Sequence, residues 1–240
     1  MTADRGPAPS SVSVAVFASG EGSNLQALLA HHRLALASGD PLWRPVLVLA
    51  DRPGIGALER ARDAEVPYQV VPVAGRDPEE VATELLTTLA AAGVDAVVLA
   101  GYLRLIPARV VRAFRGRILN IHPSLLPAFG GQGMYGRRIH EAVLASGVRV
   151  TGVTVHLVDE EYDGGRILAQ WPVPILSGDD PPTLASRVLD AEHRLYPLVV
   201  DHLARALREG HPPEPVNWTP GVEGPEALSF PSVPATPQLP

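Results

Sequence analysis

The chain contains neither cysteine nor lysine; all 20 basic residues are arginine. Without thiols there are no disulfides, thiol nucleophiles, zinc knuckles or iron–sulfur clusters, and a disulfide-stapled secreted domain is excluded. Without lysine there is no P-loop lysine and no Schiff base, so two large enzyme classes fall away. Apolar runs are short as well. None approaches the ~18 residues of a membrane-spanning helix, so no membrane partner is expected. The opening MTADRGPAPSS lacks the basic and then apolar regions of a signal peptide, and a cytoplasmic protein is expected. Positive charge is scarce: 26 acidic residues against 20 basic give a net charge of -6. A nucleic-acid partner would want a basic face, so none is expected. Apolar residues are plentiful, at 46% hydrophobic against 19% charged over 240 residues, enough to bury a full core.

Residues 1–11 are small, polar and Pro-containing, and read as a loose tail. Residues 211–240 hold nine prolines and read as an irregular Pro-rich extension. Residues 12–210 show no linker and no repeat, so a single domain is expected. Strand signals fall at 13–18, 44–50, 68–71, 95–100 and 117–121, interleaved with helical patterns at 25–36, 56–64 and 77–92. Such βαβ alternation predicts an α/β fold, a doubly wound, mostly parallel sheet with a Rossmann-like N-terminal half. Further on, Val150–Val158 alternates apolar and polar, predicting an antiparallel strand with one wetter face. A strand at 166–174 and a long C-terminal helix over 183–207 complete the pattern.

In open α/β sheets ligands bind beyond the carboxyl ends of the strands. Four polar clusters lie at such ends, at 19–24, 101–104, 120–124 and 159–165, and the fold rule draws them toward one crevice. The first, Ser19-Gly20-Glu21-Gly22-Ser23-Asn24-Leu25, leaves a strand and opens a helix. Its glycines permit close backbone approach, Ser23 and Asn24 can cap the helix, and the free N–H groups of the terminus favour an anion. The turn reads either as a phosphate cradle or as an ordinary βα turn. A dinucleotide fingerprint, with Asp51 as the ribose acid, lacks its third glycine, because that position is Leu25.

Asn120 and His122 are two residues apart on a strand and so share one side of it, with Pro123 fixing the chain beyond. An amide donor can bind a developing oxyanion and an imidazole can carry a proton. The bland alternative is a pair bonded to loop backbone. Asp163, before Gly164-Gly165, is either the carboxylate that orients His122 and favours its imidazolium, or a plain turn aspartate. His156 reads as a support behind these groups. His31 and His32 suit the end of the first helix, and His140, His202 and His211 read as surface residues. Glu192 lies on the long helix, either on a solvated face or as a carboxylate for a substrate amine or hydroxyl. No HxxxH or HExxH pair occurs, and no metal site is expected.

The segments SGEGSNLQAL, LAGYLRLIP, ILNIHPSLLPAF, TGVTVHLVDEEYDGGRILAQ and AEHRLYP closely resemble the phosphoribosylglycinamide formyltransferase family of purine biosynthesis, over about residues 12–208. HPSLLP is shared with other formyltetrahydrofolate enzymes; the Ser-Asn-Leu of the glycine loop discriminates better. The resemblance implies transfer of the formyl group of 10-formyltetrahydrofolate, as co-substrate, to glycinamide ribonucleotide, by a monomer or homodimer. It implies that Asn120, His122 and Asp163 are catalytic, with Asn120 and protonated His122 stabilising the oxyanion. It implies further that Gly22, Ser23 and Asn24 hold the ribonucleotide phosphate and that Glu192 touches the ribonucleotide. Leu103, Arg104, Leu105, Ile106 and Asn120 would line the folate pocket, and Arg76 is the candidate for a further folate contact. The Gly-rich stretch at 129–136 departs from the shorter family pattern and suggests a mobile loop over the folate. Two alternatives remain: another formyltetrahydrofolate-dependent formyltransferase or hydrolase, and a non-catalytic nucleotide-binding module on a Rossmann-like sheet.

Overall fold

The computed structural model describes residues 11–216, so the expected loose tail, but for residue 11, and the greater part of the expected Pro-rich extension lie outside the described residues. The first strand, β1 (Val12–Ala18), is buried at all seven positions. Its β-branched and small residues suit a strand covered on both faces. Val12, Val14, Val16 and Ala18 face one apolar core, and Ala15 and Phe17 face a second. The chain continues through α1 (Ser23–Ser38), β2 (Trp43–Ala50), α2 (Gly56–Asp63), β3 (Tyr68–Val70), α3 (Pro78–Ala91), β4 (Ala96–Leu99), α4 (Ala108–Ala113) and β5 (Ile118–His122). It ends with α5 (Arg137–Ala145), β6 (Val150–Leu157), β7 (Ile167–Pro174) and α6 (Pro181–Glu209).

The seven strands stand in the order β3-β2-β1-β4-β5-β6-β7. Contacts among the first five are parallel, and β5–β6 and β6–β7 are antiparallel. The chain runs outward from β1 to β3 and then returns to β4. That reversal opens a crevice beside the ends of β1 and β4. Helices α1, α2, α5 and α6 contribute to one core and α3 and α4 to the other. The expected doubly wound half with an antiparallel continuation is therefore observed.

Two features differ from the sequence pattern. The short α4 carries under two turns of periodicity, too little to stand out as a helix. In β6 the expected wet face is dry: Thr154 and His156 are both buried. Polar groups tolerate burial when they are hydrogen-bonded. The Thr154 hydroxyl donates to the Ser124 carbonyl at 2.7 Å and accepts the Leu126 N–H at 3.0 Å. The alternation thus marks a polar loop laid against the strand rather than water.

Helix α6 starts on Asp180, whose carboxylate accepts the Thr183 N–H at 2.9 Å, and ends on left-handed Gly210. It runs through Pro197. Beside that proline, buried Tyr196 sets its hydroxyl 2.9 Å from the Leu99 carbonyl and 3.2 Å from that of Leu119. The helix is thereby tied to the last residue of β4 and the second residue of β5. Beyond it, the first six residues of the expected extension lie along β7, where the Val216 N–H donates to the Leu168 carbonyl at 2.7 Å.

Candidate active site

The turn after β1 folds differently from the expectation. Gly22, not Ser23 or Asn24, is the N-cap of α1, in a left-handed conformation (φ 75°) with no side-chain cap. A Cβ at Gly22 would sit 2.7 Å from the Ala57 Cα, so glycine lets this turn lie directly on α2. Asn24 is free for another task. Its amide donates to the Glu192 carboxylate at 2.5 Å, while its Oδ1 is buried without a partner.

Glu192 itself is 7% exposed, which removes the solvated-face alternative. Burial pushes its carboxyl up to about 7, against the opposing pull of the Asn24 amide.

On β5, the alternation of the strand does carry Asn120 and His122 into the same cavity, of about 980 Å³. His122 is buried, with Nε2 2.9 Å from the Phe129 carbonyl oxygen and Nδ1 3.6 Å from Asp163 Oδ2. A carbonyl only accepts, so Nε2 bears the proton of the neutral ring and Nδ1 faces the acid. Burial lowers the His122 pKa and outweighs the raising effect of Asp163. Burial thus favours the neutral ring, against the imidazolium that Asp163 favours.

Asp163 reaches His122 from a left-handed turn (φ 54°) and accepts the Gly131 N–H at 2.8 Å. Burial raises its carboxyl, while the Gly131 N–H and the charge of the His156 and His122 rings, when they are protonated, lower it, and the balance falls below the ordinary range. The neighbouring Gly165 has no room for a side chain, because a Cβ there would fall 1.8 Å from the Leu157 carbonyl oxygen. His156 stands opposite Asn120 in the β5–β6 register, with Nε2 3.0 Å from the Asn120 amide nitrogen.

The same cavity is lined by Leu103, Arg104, Leu105 and Ile106. Leu103 and Leu105 are each 43% exposed at its rim, an apolar surface turned toward water. Their backbone is pinned by the Leu103 N–H donating to Ser19 Oγ at 3.0 Å. Asp51, the would-be ribose acid of a dinucleotide site, is buried and spent on Arg104, 2.8 Å away.

Of the residues singled out in the sequence, the cavity brings together Asn24, Leu103 to Ile106, Asn120, His122, Asp163 and Glu192. Gly22 and Ser23 shape the turn beneath it without lining it. Arg76 is not brought there: Glu84 holds it at 2.7 Å and the Pro72 carbonyl at 3.0 Å, at the start of α3. Its candidacy for the folate rests on the family resemblance and not on this geometry. His140 is the opposite case. Expected on the surface, it is 6% exposed and lines the cavity from α5. Arg52, which lines the mouth, carried no signal beyond its place after β2. Among the described residues no group of three or more His, Cys, Asp or Glu stands ready for a metal ion. Nor is any helix among them long and apolar enough to cross a membrane.

This arrangement presents an amide donor, an imidazole and a carboxylate around one point, with an apolar rim on one side and a buried carboxyl on the other. It suits acyl-type transfer between two small molecules. Comparison with known proteins agrees. The formyl transferase family matches residues 12–200. The chloroplastic phosphoribosylglycinamide formyltransferase of Arabidopsis thaliana is 49% identical over 189 residues, 78% of this chain and 63% of that protein. The chain thus spans under two thirds of the length of this plant relative. The phosphoribosylglycinamide formyltransferase of Mycobacterium tuberculosis is 44% identical over 203 residues, 83% of this chain and 88% of that protein. Among solved structures, glycinamide ribonucleotide transformylase 1 from Symbiobacterium toebii superposes with a TM-score of 0.74 at 40% identity, over 82% of this chain and 89% of that one.

Proposed function

The chain belongs to the formyl transferase family, and from that premise we propose that it transfers the formyl group of 10-formyltetrahydrofolate to the amine of glycinamide ribonucleotide, a step of purine biosynthesis. One observation carries the proposal. Asn120, His122 and Asp163 converge in a cavity that also reaches Asn24 and Glu192 on one side and the Leu103–Ile106 rim on the other. A volume near 980 Å³ accommodates a folate and a ribonucleotide together. The exposed leucines suit a flat pterin, and the buried Asn24 Oδ1 wants a donor from the ribonucleotide. The amides of Gly22, Ser23 and Asn24 at the start of α1 suit its phosphate.

In this reading the ribonucleotide amine attacks the formyl carbon, forming one C–N bond. The Asn120 N–H stabilises the oxyanion that develops. His122 enters neutral and takes the proton that the attacking amine loses. As imidazolium it is stabilised by Asp163, supports the oxyanion, and returns the proton to the departing folate nitrogen as the old C–N bond breaks. No metal is used. We propose further that it acts as a monomer or homodimer in the cytoplasm on small molecules, with neither nucleic acid nor membrane as partner.

The test is a formyl-transfer assay with glycinamide ribonucleotide as acceptor, followed by tetrahydrofolate release. Turnover that requires both substrates is expected. Absence of turnover, together with thermal stabilisation by NAD alone, would replace the proposal with a dinucleotide-binding module.

A further inference from the structure

We propose that His156 is a positioning residue that fixes which atoms of the Asn120 amide face the cavity. The argument begins with its Nδ1, which lies 2.8 Å from the Leu157 carbonyl oxygen. That oxygen can only accept, so Nδ1 carries the proton. The neutral ring then has a bare Nε2, and a bare nitrogen needs a donor. The donor is the Asn120 amide nitrogen at 3.0 Å, within hydrogen-bond range. Asp163 Oδ1, at 3.6 Å from the same Nε2, lies beyond it.

One N–H of Asn120 is thus spent on His156, and its second N–H is left for the oxyanion. The reverse tautomer would present Nε2–H and draw the carbonyl end of the amide toward the ring, which changes the atoms offered to substrate. The site therefore depends on a bond made away from the substrate. The ring cannot turn freely to break it, because His156 is only 2% exposed and pairs directly across from Asn120 on β5. A buried histidine serving β6 alone would satisfy its own backbone neighbour and leave the amide of the facing strand unaddressed.

The kinetic arm of the test rests on the formyl-transfer reading; the spectroscopic arm does not. Long-range proton–nitrogen correlation on the full chain, with the signal assigned by its loss in His156→Gln, should show Nδ1 protonated and Nε2 bare. An Nε2–H tautomer would overturn the proposal. In turnover, His156→Leu should lower kcat about ten- to a hundredfold, short of the ~10²–10³ of deleting an oxyanion donor outright. KM for both substrates should stay within about twofold. His156→Gln, whose side-chain oxygen can stand in for Nε2, should recover most of the rate. An unchanged kcat in His156→Leu, or a loss expressed only through KM, refutes the role. If the unaltered chain turns over nothing, the formyl-transfer reading fails, and the tautomer alone decides this one.

Discussion

Asn120 and His122 owe their proposed roles to different atoms, and the difference is measurable. Asn120 offers a fixed dipole to a charge that develops only during reaction. Asn120→Ala should lower kcat by ~10²–10³ while circular dichroism and the unfolding midpoint stay close to those of the parent. His122→Ala should fall by a similar order, because the proton then has no carrier. Asp163 acts through His122, so Asp163→Asn should lose rate with little change in ribonucleotide affinity by calorimetry. A large affinity loss would make Asp163 a binding residue instead.

Glu192 yields a pH prediction with a definite sign. Burial pushes its carboxyl from an ordinary 4.5 up to about 7. Between those values the folded chain holds a proton that the unfolded chain has released. Its contribution to stability therefore declines as pH rises through that window. Chemical denaturation at several pH values should show a steeper decline in the parent than in Glu192→Gln.

At the scale of the element, the turn between β1 and α1 shows how a backbone requirement and a contact coincide. Gly22 is left-handed and also touches α2. Gly22→Ala must bear both the strain and a 2.7 Å approach to the Ala57 Cα. A loss of about 1–3 kcal/mol is expected, read as a lowered thermal midpoint. Because the start of α1 must shift, a raised KM for the ribonucleotide is expected with it. The β5–β6 pair makes a complementary point. Its antiparallel register places His156 across from Asn120, so two residues 36 apart in sequence become one hydrogen-bonded unit. The stretch from Phe129 to Gly131 then closes over the pair's neighbours. It gives its carbonyl to His122 and its N–H to Asp163.

For the molecule as a whole, the sheet reversal opens the crevice and α6 holds its two sides together. Tyr196 is the clamp, since its one hydroxyl lies within hydrogen-bond reach of the Leu99 carbonyl in β4 and the Leu119 carbonyl in β5. Tyr196→Phe leaves those two buried acceptors without that donor. A cost of about 1–3 kcal/mol is expected from thermal or urea unfolding, with turnover at room temperature largely retained. Glu192 sits four residues before Tyr196, one turn along α6, so the same helix that clamps the strands delivers the buried carboxyl.

The sequence by itself determined the strands and the longer helices, because buried strands and amphipathic helices write their periods into the residue pattern; the short α4 was too brief to do so. It also determined the pairing of Asn120 with His122, because a strand's two-residue repeat places such neighbours on one side. The tertiary structure alone decided what the polar residues do. Arg76 and His140 exchanged their expected places, one spent on Glu84 outside the cavity and one buried in its wall. Asn24 turned from a helix cap into a partner of Glu192, and burial lowered the His122 pKa against the pull of Asp163. The physical reason is common to all four. Hydrophobic periodicity is a local property of the chain, whereas the partner and protonation of a polar group depend on groups brought near from distant positions.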